Sequence, residues 1–296
     1  MNFVLRFLAT KGKNWMAKVI TTEETAHPLP DSISFIGDLT YQGPDGASLA
    51  ADVYRPKDTS ANPLPIAVFV HGGGLFVGSR KANRSYAALL AERGYVVFAL
   101  EYRLINETDG VGEISDVCAG LSYVKDHAAE YGGDLSRVLV IGESAGGYLA
   151  LYATALLNSP LLQEKFGIKA PELSVRGFAS FGGMLYTANF DILGLVYRRD
   201  LYGERLHDPS FMELVDPENP RVESKLPPVF QVTSEPDFLG SYTLRFNNAL
   251  TTVGHDHRLV YYKEGKELKH AFPSLRPDLP QSIEVLDEMD AWFRRL

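Results

Sequence analysis

The spacing of apolar residues changes near residue 60 of the chain. Residues 35–42 and 48–55 alternate apolar and polar side chains, which is typical of strands with one buried face. The segment 43–46 (GPDG) between them has the composition of a tight turn. The two strands are therefore predicted to form an antiparallel hairpin.

Later apolar runs are short and unbroken, which is typical of strands that are covered on both faces in a parallel sheet. These runs are 66–70, 95–101, 137–141, 175–181, 228–233 and 257–262. Helical spacing of apolar residues lies between or after them, at 82–93, 113–130, 145–157, 241–253 and 280–295. The alternation predicts an α/β fold with an eight-stranded, mostly parallel sheet, an antiparallel N-terminal hairpin and helices on both faces.

Two segments do not follow this alternation. We expect residues 1–34 and 184–225 to form a small lid on a single domain spanning residues 1–296. A crossover helix with long loops is an alternative for the second segment. The first twenty residues are expected to form an amphipathic helix. Arg6 interrupts their apolar run, unlike in a secretory signal, although a weak export signal or a surface-seeking helix stays open.

Charge and cysteine content narrow the range of partners and cellular locations. The chain has 29 Lys and Arg residues against 37 Asp and Glu residues, a net charge of −8, which argues against nucleic-acid binding. Cys118 is the single cysteine, so an intrachain disulfide and a cysteine-rich zinc site are excluded. A reducing, cytoplasmic location fits. No apolar run of the roughly 18 residues that a membrane span needs is present.

A serine lies where a predicted strand meets a predicted helix. The segment 142–146 (GESAG) follows strand 137–141 and opens helix 145–157. A sharp turn at this point would expose the Ser144 hydroxyl above the sheet, with small residues required two positions before and after it. A helix N-cap is the alternative role for Ser144. The strand before it favours a nucleophile.

A triple-glycine segment follows the strand at 66–70. The segment 71–74 (HGGG) presents backbone N–H groups, and we expect those of Gly73 and Gly74 to form an oxyanion hole with that of Ala145. A phosphate-binding loop fits poorly because no Lys-Ser or Lys-Thr pair follows. A dinucleotide loop fits poorly, since Gly78 stands one position too far along.

A serine nucleophile requires a base and an acid that orients the base. Asp237 follows strand 228–233, and His270 follows strand 257–262, in the chain order that such a fold uses. Glu235 is the main rival acid. Two rival histidines, His255 and His257, lie on or before the last strand and are expected to be packing or turn residues. Asp116 is expected to be a structural residue.

The walls of the pocket are partly predictable. Leu75 and Phe76 follow the glycines and are expected to line one wall as substrate-binding residues. Phe190, Leu193 and Tyr197 in the second lid segment are candidates for another wall. Packing of these side chains between lid and core is an equal alternative. An apolar pocket would suit an alkyl acyl group.

Together, HGGG, the segment 102–104 (YRL), GESAGG and the late Asp and His resemble the α/β-hydrolase fold of the hormone-sensitive-lipase-like esterase group, over roughly residues 71–270. The resemblance implies hydrolysis of short-chain carboxylic esters without a cofactor or metal. It also implies Ser144 as nucleophile, Asp237 and His270 as its partners, and the three oxyanion donors named above. Glu143 stands where the family usually has aspartate.

We therefore expect a serine carboxylesterase that acts on a small-molecule ester through an acyl-enzyme. Two alternatives stay open: hydrolysis of sugar-borne acetyl or feruloyl esters, and a non-catalytic binding protein that keeps the pocket. The expected partner is the ester itself, without nucleic acid or a membrane span. Assembly into a homodimer stays open.

Overall fold

A computed structural model describes residues 27–58 and 62–296, together with residues 11, 13, 14, 16–19 and 22. Those eight N-terminal residues are helical. The rest of the predicted N-terminal helix lies outside the described residues. Within the described part of the chain, no helix is both long and apolar enough to cross a lipid bilayer.

Eight strands form one sheet in the order β1-β2-β4-β3-β5-β6-β7-β8. Strand β2 pairs antiparallel with β1 and β4, and the other neighbours are parallel. The strands are β1 (Ile33–Gln42), β2 (Ser48–Pro56), β3 (Leu64–Val70), β4 (Val96–Leu100), β5 (Gly133–Glu143), β6 (Gly177–Phe181), β7 (Val229–Ser234) and β8 (His257–Tyr262). The sheet predicted from the apolar pattern is confirmed.

Helices cover both faces of this sheet. They are α1 (Arg84–Glu92), α2 (Gly110–His127), α3 (Ala145–Leu157), α4 (Pro160–Phe166), α5 (Ile192–Tyr202), α6 (Pro209–Met212), α7 (Pro220–Glu223), α8 (Gly240–Val253), α9 (Phe272–Leu275) and α10 (Pro280–Phe293). Helices α2, α3 and α8 contribute to one hydrophobic core, and α1 and α10 contribute to the other.

Strand β3 shows why its run is apolar without interruption. Val68 and Val70 belong to one core, whereas Ala67 and Phe69 belong to the core on the opposite face. Successive side chains of a strand point to opposite faces, so a strand that is buried on both sides has no polar positions to alternate with. The prediction of doubly covered strands is confirmed for the runs in β3 to β7, whereas β8 is an edge strand on which no residue is fully buried.

The parallel strands bring distant chain segments to one edge. The HGGG segment follows β3, Ser144 follows β5, Asp237 follows β7, and His270 follows β8. Because parallel strands end at the same edge, the four segments share one rim of the sheet. Residues 184–225, predicted as a lid or a crossover, contain α5, α6 and α7.

Candidate active site

Ser144 stands on a strained turn between β5 and α3. Its φ of 51° and ψ of −116° lie in a region that L-residues rarely adopt. A Cβ added to Gly142 would lie 2.5 Å from the carbonyl oxygen of Gly146, and one added to Gly146 would lie 2.2 Å from that of Val70. The start of α3 therefore lies too close to β3 and β5 for a side chain on either glycine. The tight serine turn requires glycine at both positions.

His270 bridges Ser144 and Asp237. Its Nε2 lies 2.8 Å from the Ser144 Oγ. Its Nδ1 lies 2.7 Å from Oδ1 of Asp237. The structure therefore brings together the three side chains that the sequence pattern selected, although they stand 93 and 33 positions apart along the chain.

Asp237 is held by donors on both of its oxygens. Its Oδ1 also accepts the Leu239 N–H at 2.9 Å, and its Oδ2 accepts the Thr233 hydroxyl at 3.1 Å. Burial alone would raise the pKa of Asp237, but hydrogen bonding and charge interaction with His270, together with the Leu239 and Thr233 hydrogen bonds, outweigh burial and lower it. The carboxylate is therefore ionised near neutral pH.

Two contacts around His270 had no signal in the sequence pattern. Gly182, with φ of 56°, leaves the space that the acid and base occupy: an added Cβ would lie 2.7 Å from Oδ2 of Asp237 and 3.0 Å from the His270 ring. The Phe238 ring, 73% exposed, has its centroid 4.3 Å from that of His270. Both contacts arise from tertiary packing, so chain position alone could not reveal them.

The rival acids and bases lie elsewhere. Glu235 is exposed and accepts a hydrogen bond from the Tyr261 hydroxyl. His257 contacts the Thr251 hydroxyl at 3.0 Å. It is the first residue of β8, at the opposite end of the strand from the edge that carries Ser144. Asp116 pairs with Arg103 at 2.7 Å and is fully buried, as expected of a structural residue.

The glycine loop presents free backbone donors near Ser144. Gly73 and Gly74 have φ of 116° and 61°, and a Cβ on Gly73 would lie 1.9 Å from the carbonyl oxygen of Val77. No acceptor among the described residues receives the N–H of either glycine. The N–H of Ala145, in the first turn of α3, has no intrahelical partner either. These are the three donors expected to form an oxyanion hole.

The pocket residues follow the prediction in part. Leu75 is fully buried in the main core and does not line the cavity, so the structure corrects that assignment. Its φ of 66° turns the chain inward, and its carbonyl accepts the Ile105 N–H at 2.8 Å. Phe76 and Tyr197 do line the cavity. Phe190 is 83% exposed and lies under the Arg198 guanidinium instead; the Leu193 side chain lies outside the described residues.

A cavity of about 440 Å³ opens onto Ser144 and His270. Most of its other lining is apolar and includes Met16, Val19, Phe76, Met184, Tyr197, Phe238, Leu239 and Leu275. The remaining polar lining comes from the glycine loop at 71–74 and from Ser79, Asn83 and Glu143. Among the described residues, in the cavity or outside it, no group of three or more His, Cys, Asp or Glu side chains is placed to hold a metal ion.

Glu143 connects three parts of the site. Its carboxylate accepts hydrogen bonds from the Asn83 amide at 2.6 Å and from the Ser274 hydroxyl. Burial raises the pKa of Glu143, although the Ser274 and Asn83 donors and the nearby His270 lower it in part. The residue before the nucleophile thereby ties the start of α1 to α9, which follows the base.

Known proteins resemble this chain in sequence over part of their length. The family model described as BD-FAE matches residues 51–187. A probable isoprenylcysteine alpha-carbonyl methylesterase of Arabidopsis thaliana is 28% identical over 73% of this chain and 47% of its own length. Esterase LipQ of Mycobacterium tuberculosis is 25% identical over 79% of this chain and 56% of its own length. The chain thus spans about half the length of these curated relatives.

Solved structures resemble it over nearly the whole chain. Esterase B of Lactobacillus rhamnosis, in a structure with a C4-C4 SN3 tributyrin phosphonate, superposes with a TM-score of 0.89 at 24% identity, covering 100% of this chain and 96% of that one. A bacterial heroin esterase superposes with a TM-score of 0.75 at 25% identity, covering 97% and 92%. The chain therefore has the α/β-hydrolase fold that these esterases share, as the resemblance of its HGGG and GESAGG motifs implied.

Proposed function

We propose that the protein is a carboxylesterase that works through an acyl-enzyme on Ser144. The observation that carries the proposal is the continuous hydrogen-bonded chain from Ser144 through His270 to Asp237, beside backbone N–H groups for which the described part of the chain supplies no acceptor. A nucleophile, a base, an orienting acid and an oxyanion hole are the four parts that acyl transfer requires.

The proposed reaction uses each part in turn. His270 Nε2 takes the Ser144 hydroxyl proton while the serine oxygen bonds to the ester carbonyl carbon. The resulting oxyanion accepts hydrogen bonds from Gly73, Gly74 and Ala145. The carbon–oxygen bond to the alcohol then breaks, and the alcohol leaves with the proton that His270 held. Water attacks the acyl-enzyme by the same route and releases the carboxylic acid.

Asp237 and the loop donors each contribute to the expected rate gain. The ionised Asp237 fixes the imidazole with its proton on Nδ1 and stabilises the imidazolium that forms. Each oxyanion donor typically contributes about 100- to 1000-fold in rate, because it strengthens only as negative charge develops on the carbonyl oxygen.

Short acyl chains are the proposed substrates. The cavity of about 440 Å³ is lined mainly by apolar side chains and therefore suits a small alkyl acyl group. Tyr197 on α5 forms part of this wall, which supports a lid role for residues 184–225 within a single domain. The scarcity of polar side chains on the wall favours alkyl esters over the sugar-borne esters considered as an alternative.

A panel of p-nitrophenyl esters with acyl chains of increasing length tests the proposal. We expect wild-type turnover that is highest for short chains, and a loss of at least about 1000-fold in Ser144→Ala. His270→Gln should lose activity comparably, whereas the matched control His257→Gln should keep it. No ester turnover by the folded wild type would favour the non-catalytic binding protein, and turnover that survives Ser144→Ala would remove Ser144 from the mechanism.

A further inference from the structure

A second cavity lies beside the catalytic one. It measures about 680 Å³, against about 440 Å³ for the catalytic cavity. Leu275, at the end of α9, lines both cavities and is 43% exposed. One side chain therefore stands where the two spaces meet, and the reaction at Ser144 leaves the second space without a role.

Helix α1 forms one wall of both cavities. Asn83, directly before the helix, lines the catalytic cavity, whereas Ala88, Leu89 and Glu92 on the helix line the second one. Residues three and four positions apart share a helix face, so the last three side chains follow one face of α1. Because a helix rises about 1.5 Å per residue, this wall leads away from the catalytic cavity over roughly 12 Å.

The N-terminal segment forms a second wall in the same order. Met16 and Val19 line the catalytic cavity, and residues 27–30, farther along the chain, line the second one. Leu29 of this segment and Leu89 of α1 pack against the same hydrophobic core, which gives the second cavity an apolar floor. Both walls leave the catalytic cavity together, so they enclose one path.

The alcohol portion of an ester is the part that lies nearest to this path. His270 hands its proton to the alcohol oxygen, so the alcohol leaves on the His270 side of the carbonyl carbon. Leu275 is on that side, because α9 follows His270 in the chain. The Ser274 hydroxyl donates to the Glu143 carboxyl beside the nucleophile, which fixes α9 against the site.

The lining indicates which alcohols the second cavity suits. Its charged side chains are exposed: Glu92, and Arg276 and Asp278, which form an ion pair at 2.6 Å. An alkyl chain would lie on the apolar floor and leave these groups in water, whereas a polar chain would gain little from the floor.

We propose that the alcohol portion of the ester passes Leu275 and binds in the second cavity, which thereby selects esters of elongated alkyl alcohols. Leu275 is a specificity-determining residue at the junction of the two cavities. The inference rests on the proposed esterase function and adds to it the class of alcohol, which the catalytic cavity alone does not define.

Methyl butanoate and hexyl butanoate test the proposal, because they share an acyl group and form the same acyl-enzyme. Their kcat/KM values, measured by titration of the released acid at constant pH, therefore report the steps up to departure of the alcohol. For the wild type we expect a higher kcat/KM with the hexyl ester, by up to about fourfold for each methylene that enters the second cavity.

Ala88→Phe is the decisive variant, since Ala88 is 4% exposed and lines the second cavity but not the catalytic one. We expect its hexyl-to-methyl ratio of kcat/KM to fall at least about tenfold, because the phenyl ring fills space that the hexyl chain uses. Leu275→Trp should lower the ratio by narrowing the junction. Leu161→Trp is the matched control: Leu161 is 40% exposed on α4 and lines neither cavity, so the ratio should stay within about twofold of wild type.

A merely structural effect of a substitution would lower kcat/KM for both esters equally and leave the ratio unchanged. A ratio equal to that of Leu161→Trp would overturn the proposal, in Ala88→Phe or, if that variant does not fold, in Leu275→Trp. A wild type that prefers the methyl ester would overturn it as well, with the esterase function intact. If the wild type hydrolyses neither ester, the proposed function fails, and the inference that rests on it fails too.

Discussion

Replacing Asp237 with asparagine separates the charge of this residue from its geometry. Its Oδ1 accepts two N–H donors, from His270 at 2.7 Å and from Leu239 at 2.9 Å, whereas its Oδ2 accepts the Thr233 hydroxyl. In Asp237→Asn the amide oxygen should take the Oδ1 place, because two donors point there. The amide nitrogen would then face a hydroxyl that can rotate to accept. The imidazole should therefore keep its tautomer and lose only its counter-charge.

The expected loss follows from that charge. Two unit charges about 4 Å apart interact by about 4 kcal/mol at an effective dielectric constant of about 20. Each factor of ten in rate corresponds to about 1.4 kcal/mol, so we expect kcat to fall about 1000-fold. A wrong tautomer would cost more, about 10,000-fold in the serine-protease case.

The assay is the steady-state rate with a short-chain p-nitrophenyl ester near neutral pH. Glu235→Gln is the matched control, since Glu235 is exposed, stands two positions away and contacts Tyr261 rather than His270. We expect the control to retain wild-type kcat within about twofold. An Asp237→Asn enzyme within about tenfold of wild type would refute the assignment of Asp237 as the orienting acid.

Three further predictions concern stability and reactivity. Gly146→Ala should unfold the protein or lower its stability by more than about 3 kcal/mol, measured by urea denaturation, because the added Cβ would lie 2.2 Å from the Val70 carbonyl oxygen; a fully stable variant would contradict the close approach. Burial raises the pKa of Glu143 above 4.5, so the folded state holds its proton more tightly and wild-type stability should fall as pH rises through that raised pKa. Glu143→Gln should therefore gain stability relative to wild type as pH rises from about 4.5 in urea denaturation, and a constant difference would contradict this. Burial raises the pKa of Cys118 to about 12, so a thiol reagent near pH 8 should label it only after denaturation, and rapid labelling of the native protein would contradict its burial.

The sheet was predictable because its strands carry their own signal. Unbroken apolar runs such as 66–70 can be buried only on both faces, and the structure uses them so. Strand β5 is longer than the predicted 137–141, since Gly133 and Asp134 pair with β3 across a register shift. Gly133 and Asp134 are not apolar, so the apolar pattern of the sequence does not reveal that they pair with the neighbouring strand.

Helix α4 was missed although its local signals are present. Ser159 accepts the Leu162 N–H at 3.2 Å as an N-cap, Pro160 opens the helix, and Gly167 ends it with φ of 67°. At seven residues the helix is too short for apolar periodicity to reveal it. Capping residues would have found it where periodicity could not.

The candidate site was predictable where chain order and turn chemistry decide it, as for Ser144 and His270. Side-chain direction after the glycines was not predictable, and Leu75 turned out to pack in the core because a positive φ rotates it inward. The Glu101 contact with His71 joins the ends of two neighbouring strands. Such contacts need the strand order, which the apolar pattern leaves open.

Covalent labelling with an activated phosphonate ester tests the central claim most directly, because such a reagent reacts with an activated serine and leaves a stable tetrahedral adduct. Mass spectrometry of the digested protein locates the adduct. We predict one adduct per chain, on the peptide that carries Ser144, and none in Ser144→Ala. An adduct on another residue, or continued ester hydrolysis by a protein that carries the Ser144 adduct, would contradict the account.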